Sequence, residues 1–205
     1  MLTMMFYVAI TADAMSAALA AGRRNMDWFG VCLIACITAL GGGTARDLFL
    51  DHYPLYWVQN PYILVLCCGA ALLTIAIAPL VHRLRWPFLL LDALGLVVFT
   101  IIGCNIAMET QAHPIIVIVA GMVTGIVGGI MRDVLCQDVP LVFHGELYAT
   151  VSIVTGIVYY LGITAGLHPD LVLLVALGVG LPLRVLSIMF KWEMPKFVFD
   201  REMRK

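Results

Sequence analysis

The chain has 205 residues, 62% of them hydrophobic and 12% charged, with a formal net charge of −1 and a mean hydropathy of +1.01. A soluble domain is about one-quarter charged, so this composition excludes a soluble globule and a disordered chain and requires surface that faces lipid. It also excludes a basic field for nucleic acid and leaves no room for a separate soluble domain.

Seven stretches have the length of a membrane span, about 20 mostly apolar residues: Leu2–Ala21, Trp28–Leu50, Tyr62–Val81, Phe88–Met108, Pro114–Cys136, Leu147–Leu167 and Leu171–Phe190. The first has no basic residue before its apolar run and is interrupted by Asp13, so it reads as a retained helix and not a signal peptide. Pro61, Pro87, Pro114 and Pro169 stand at span starts, where the missing N–H costs nothing. Pro182, inside the seventh span, predicts a kink, and Arg184 beyond it predicts a side chain snorkelling to the interface. Trp28, Trp57, Trp86 and Trp192 fall at span ends, where an indole favours the interface. Arg23 and Arg24, then Arg83 and Arg85, then Lys191, Lys196, Arg201, Arg204 and Lys205 follow spans one, three and seven, all on one side. The positive-inside rule makes that side cytoplasmic, with the N-terminus outside and the C-terminus inside. The tail can touch anionic lipid weakly.

Shifting the sequence by 86 residues without a gap superposes Thr38, Gly42, Gly43, Arg46, Asp47, Pro54, Leu55 and Tyr62 on Thr124, Gly128, Gly129, Arg132, Asp133, Pro140, Leu141 and Tyr148. Both copies read T-x3-G-G-x2-R-D-x6-P-L-x6-Y. Each holds three spans, and three is odd, so the second copy is inverted relative to the first. The expected fold is all-α and integral to the membrane: residues 1–86 as one three-helix repeat, 87–168 as its inverted copy, and 169–205 as a seventh helix and tail. Sites in such folds tend to lie at the repeat interface near the midplane.

The glycines Gly41, Gly42, Gly43, Gly128 and Gly129 admit two readings. Consecutive glycines weaken a helix by roughly 1 kcal/mol each, and an opened backbone facing a polar cavity offers carbonyl oxygens to a cation, with Thr38, Thr44 and Thr124 adding hydroxyls. Alternatively, the glycines only let helices pack closely, as the ladder Gly121, Gly125, Gly129 suggests. Arg46–Asp47 and Arg132–Asp133 either snorkel and pair at the interface or face the interior at the mouths of a polar path. Asp13, deep among small residues, binds a cation, pairs with an arginine or holds a proton. Asp92 is either a further acid at a pore mouth or a first-turn acid at a helix start. The six cysteines, Cys32, Cys36, Cys67, Cys68, Cys104 and Cys136, show no metal spacing and read as packing residues. His52, His82, His113, His144 and His168 lie at loops or ends without ligand spacing, and no catalytic constellation appears.

The motifs GGGTARD (Gly41–Asp47) and GGIMRD (Gly128–Asp133), each with its trailing Pro-Leu, resemble those of the bacterial UPF0126 membrane family, often labelled glycine transporters. So do ALAAGRRNMD (Ala18–Asp27), LDALGLVVF (Leu91–Phe99) and ELYA (Glu146–Ala149). That family is similar in fold to the trimeric intracellular cation (TRIC) channels. The resemblance implies a homotrimer in the bacterial inner membrane, with an hourglass pore inside each protomer. Spans two and five line that pore and are kinked at their glycines. A lysine-containing signature of the animal channels is not found here. The function expected is a monovalent-cation channel for K⁺, with K⁺ or Na⁺ as permeant ion, no cofactor and no catalysis. The alternatives are a carrier for a small amino acid such as glycine, whose zwitterion an Arg–Asp pair complements, and an inert scaffold.

Overall fold

The computed structural model describes residues 1–80, 85–143 and 147–192. Val81, His82, Arg83, His144, Glu146 and the tail basic residues Lys196, Arg201, Arg204 and Lys205 lie outside the described residues. The chain is all-helical in the regular elements described. They are α1 (Leu2–Arg23), α2 (Trp28–Phe49), the single turn α3 (Tyr56–Gln59), α4 (Tyr62–Ile77) prolonged by a 3-10 turn (Ala78–Leu80), α5 (Arg85–Glu109), α6 (Pro114–Leu135), a 3-10 turn (Leu141–Phe143), α7 (Tyr148–Thr164) and α8 (Pro169–Phe190). The seven predicted spans are thus α1, α2, α4, α5, α6, α7 and α8; α3 was not expected.

Among the described residues, α1, α2, α5, α6 and α8 are long and apolar enough to cross a bilayer, whereas α4 and α7 have 16 and 17 residues. At ~1.5 Å per residue the two short helices reach about 25 Å, less than the ~30 Å hydrocarbon core. Local thinning of the bilayer accommodates such a shortfall. α4 is shorter than its predicted span because Pro79 follows Ala78, and the chain tightens there into the 3-10 turn. Pro114 and Pro169 occupy the first turns of α6 and α8, as expected. α8 remains helical through Pro182.

The Met1 amino group lies 3.6 Å from Asp170 at the start of α8, so both mark one face, the N-face. Arg24, after α1, pairs with Asp138, after α6, on the opposite face. The inverted repeat recurs in local detail at the same 86-residue offset. Asn25 and Gln111 both have positive φ, as do Asp51 and Gln137. After α1, Asn25 N–H donates to Gly22 O and Met26 N–H to Ala21 O; after α5, Gln111 N–H donates to Met108 O and Ala112 N–H to Ala107 O. The Asp27 carboxylate caps α2 by accepting from Gly30 N–H, and the His113 ring caps α6 by accepting from Ile115 N–H. Within each repeat the first helix packs on the second and third. The repeats dock through α1 against α5 and α2 against α6, each helix meeting its own counterpart. α5 is the most enclosed span, and α8 covers α5 and α7 from outside.

Left-handed backbone at a non-glycine residue costs roughly 1–2 kcal/mol. Gln137→Gly is therefore expected to hold or raise the melting temperature in detergent, and Gln137→Val to lower it.

Candidate functional site

Thr38, Gly42 and Arg46 recur every four residues on α2, as do Thr124, Gly128 and Arg132 on α6. Four-residue spacing sets each trio on one helical stripe. The two stripes face each other where the antiparallel helices cross. A Cβ on Gly42 would stand 2.0 Å from the Thr124 carbonyl oxygen, and one on Gly128 would stand 2.2 Å from that of Thr38. The crossing is therefore backbone against backbone, and it repeats about the pseudo-two-fold axis. Gly41 sits against Met131, while Gly43 has only the Arg46 guanidinium nearby, at 3.8 Å.

This geometry corrects one sequence expectation. α2 runs as continuous helix through Gly41–Gly43, and α6 through Gly128–Gly129. The glycines do not open the backbone or free carbonyls for an ion. Gly42 and Gly128 carry the contact between helices, which is the packing reading. The ladder on α6 divides: Gly121 and Gly125 rest on the Thr100 and Leu96 carbonyls of α5, whereas Gly129 faces the Tyr148 hydroxyl.

Thr38 donates to Ile34 O at 2.8 Å, Thr44 to Leu40 O at 2.8 Å and Thr124 to Ala120 O at 2.6 Å. Each hydroxyl proton is committed one turn back, so each oxygen presents itself as an acceptor. A cavity of about 170 Å³ opens beside this level, lined by Gly43, Thr44, Arg46, Asp47 and Thr124, with Phe6, Tyr56, Trp57 and Phe99 among its apolar walls. The Trp57 indole donates to Thr44 Oγ1 at 3.1 Å, which fastens α3 over this cavity. Burial, and then the nearby Tyr7, hold the Tyr56 phenol above its ordinary pKa. On the opposite face a second cavity of about 390 Å³ is lined by Ala20, Arg23, Phe88, Asp133, Asp138 and Leu141. The α2–α6 crossing lies between the two levels.

Both Arg–Asp pairs are buried; neither snorkels. Arg46 donates through Nε and Nη2 to Asp47 Oδ1 at 2.9 and 2.6 Å, and His52 Nδ1 lies 3.2 Å from the same oxygen. Arg132 is more heavily engaged. It donates to Asp133 Oδ1 at 2.8 Å, Asp92 Oδ1 at 2.7 Å and Ser16 Oγ at 3.2 Å, and it lies 4.7 Å over the Phe88 ring, which Arg23 also approaches at 4.7 Å. Asp133 Oδ2 accepts from Leu141 N–H at 2.9 Å. Asp92 Oδ2 and Arg132 Nη2 are buried without a hydrogen-bond partner among the described residues. Asp92 is thus not a surface acid of the first turn. Asp13 is buried with its carboxylate pressed against Gly95 of α5, close to Asp92 and Arg132. Arg184 does not snorkel either: it is fully buried, 4.6 Å over the Tyr148 ring, and donates to Ser187 Oγ at 3.3 Å.

Ser16, His52, Trp57, Phe88 and Tyr148 were not read from sequence as site residues. For Tyr148 a signal existed, since it closes the repeated motif. Ser16 lies one turn beyond Asp13 on α1, and its role depends on the approach of α6, which no local pattern announces.

The family model described as glycine transporter matches residues 3–79 and again 89–164, one match per repeat. The UPF0126 inner membrane protein YadS of Escherichia coli K12 is 39% identical over 196 residues, covering 93% of each chain. A TRIC trimeric intracellular cation channel orthologue from Rhodobacter sphaeroides superposes with a TM-score of 0.90 at 29% identity, over 93% of this chain and 98% of that one. A prokaryotic TRIC channel crystallised in 0.5 M KCl gives 0.88 at 30%, over 94% and 98%.

Two substitutions separate packing from lining. Gly128→Ala drives a methyl into backbone that cannot swing away and is expected to destabilise the protein by roughly 2 kcal/mol or more; Gly43→Ala is expected to leave the melting temperature nearly unchanged. Arg132→Met strands the Asp92 and Asp133 carboxylates and is expected to cost about 3–5 kcal/mol, read in the same melts. A stable Arg132→Met protein would contradict the ionic network described.

Proposed function

We propose that this chain, which belongs to the UPF0126 family of bacterial membrane proteins, is a monovalent-cation channel with its conduction path inside each protomer. It is a multi-pass protein of two inverted three-helix repeats plus one helix, and its relationships are to membrane transport proteins, not to enzymes. The observation that carries the reading is a cavity that runs from Leu2 and Thr3 on the N-face to Thr124 at the crossing of α2 and α6, with a second cavity at the ends of α1 and α6 on the opposite face, in a chain similar throughout to solved cation channels.

In this reading the lining combines the acceptor oxygens of Thr38, Thr44 and Thr124 with the carboxylates of Asp13, Asp47, Asp92 and Asp133. Neutral hydroxyls bind a cation weakly, and weak sites suit conduction because the ion must leave as readily as it enters. K⁺ is the preferred permeant ion and no cofactor takes part. The sealed backbone contact at Gly42 and Gly128 makes this conformation closed. Opening slides α2 against α6 along the glycine stripe, where Gly42 and Gly128 meet backbone. The Arg–Asp pairs act as latches at the two ends: Arg132 Nη2 and Asp92 Oδ2 have bonding capacity to spare, so their pairing can change without stranding a charge. The assembly is a homotrimer in the inner membrane. Arg23, Arg24, Arg85 and Lys191 all mark the face opposite Met1, which makes that face cytoplasmic and the N-terminus external.

A second reading is favoured by the cavity on the N-face. Arg46 and Asp47 line it together, and the pair complements a zwitterion, so the same site suits a small amino acid such as glycine. Purified protein in planar bilayers decides between them. Unitary K⁺ currents, reduced in a folded Gly43→Leu variant that fills the N-face cavity, are the expected result. Saturable glycine uptake in proteoliposomes without unitary currents would establish the carrier instead.

A further inference from the structure

We infer that Cys36 on α2 and Cys68 on α4 form an oxidisable thiol pair, which a lipid-soluble organic hydroperoxide converts to a disulfide that ties the two helices together. The sulfurs lie 3.7 Å apart, in van der Waals contact across the helix interface. Bond formation requires a further approach of about 1.7 Å, within the reach of side-chain rotation in two unbranched residues. Both thiols are half-buried, whereas Cys67 and Cys104 are fully enclosed.

The route to the pair is apolar. Cys36 lines a groove of about 320 Å³ with Ile37, Leu40, Leu64 and Met131. Charged, water-borne thiols and disulfides are excluded by such a surface, while an uncharged hydroperoxide dissolved in the bilayer is not. The Cys36 sulfur attacks the peroxide and the O–O bond breaks, so that Cys36 becomes a sulfenic acid and the alcohol departs. The Cys68 sulfur then attacks the Cys36 sulfur, the S–O bond breaks, and hydroxide leaves with the Cys68 thiol proton as water. Two thiols are oxidised to one disulfide, and one hydroperoxide is reduced to alcohol plus water.

The pair belongs to one repeat only. At the 86-residue offset the second copy carries Met122 and Val154, so the tie restrains α2 and leaves α6 untouched. Cys36 lies six residues before Gly42, and a covalent link there holds α2 against α4 just when sliding over α6 would be required. This last consequence rests on the channel reading; the thiol chemistry does not.

The test uses the full chain in liposomes exposed to tert-butyl hydroperoxide. The expected result is loss of two of the six free thiols and a reducible link between α2 and α4 peptides by mass spectrometry. The link is absent from Cys36→Ser and Cys68→Ser and retained in Cys32→Ser. Sulfinic acid at Cys36 without the link, or an unchanged link in Cys36→Ser, overturns the pairing. In bilayers, oxidation is expected to reduce K⁺ current several-fold, with recovery in dithiothreitol; a fully linked protein with undiminished current overturns the restraint. Reduced protein that shows no current at all, yet still forms the link, counts against the channel reading and leaves the thiol pair standing.

Discussion

Two helices can meet backbone to backbone only where neither interposes a side chain, and this protein does so twice at one crossing. Gly42 against the Thr124 carbonyl and Gly128 against that of Thr38 fix the depth and register of α2 on α6. The four-residue stripe then does the rest of the placement. One turn before each glycine it sets a threonine, and one turn after it an arginine. Because the helices are antiparallel, the threonines fall beside the crossing and the arginines at opposite ends. Lipid offers no hydrophobic force to drive helices together, so this close fit, with its dispersion contacts and the docking of α1 on α5, joins the two repeats.

The buried charges follow from that placement. An arginine carried into protein at membrane depth must find a partner or be relocated at a cost of several kcal/mol. Each motif brings its own partner in the adjacent aspartate, and the surrounding helices complete the job differently. Around Arg132, α1 supplies Ser16 and α5 supplies Asp92. Around Arg46, the corresponding positions of the other repeat are Ile102 and Phe6; its partner is Asp47, whose carboxylate also meets a loop histidine, His52. Asp13 adds a further acid to the richer cluster, with Phe99 at its counterpart position.

Much of this was legible in the residues alone. Spans, their number, the inversion and the acidic and basic pairs all follow from hydropathy and an ungapped repeat, because bilayer thickness and the cost of buried charge leave few alternatives. The glycines were legible as a feature and not as a mechanism. Local helix propensity says that Gly41–Gly43 weaken α2, yet the helix persists because an opened turn would lose hydrogen bonds that α6, packed flat against it, cannot replace. Arg184 failed for a related reason: its distance from the end of α8 favours snorkelling, and only the arrival of Tyr148 from α7 gives it a buried aromatic face. Tertiary neighbours decided both cases, and neighbours from distant segments leave no periodic trace in a single chain.

An inverted duplication starts with two equal ends, and equal ends have no preferred direction. Here the backbone has kept the symmetry, down to matched positive-φ residues after the first and second helices of each repeat, while the charges have not. The cluster around Arg132 gathers Asp13, Asp92 and Asp133, against one carboxylate beside Arg46. Backbone symmetry is held by close packing, where any added atom is penalised at once. Side chains at the cluster positions face cavities or one another, where an acid can replace a phenylalanine if an arginine is already present to receive it. The result is a protein whose two halves share geometry and differ in field. One buried acid balances Arg46 toward the N-face and three gather around Arg132 toward the other, so the asymmetry between the two ends resides in a few side chains placed on a symmetric frame.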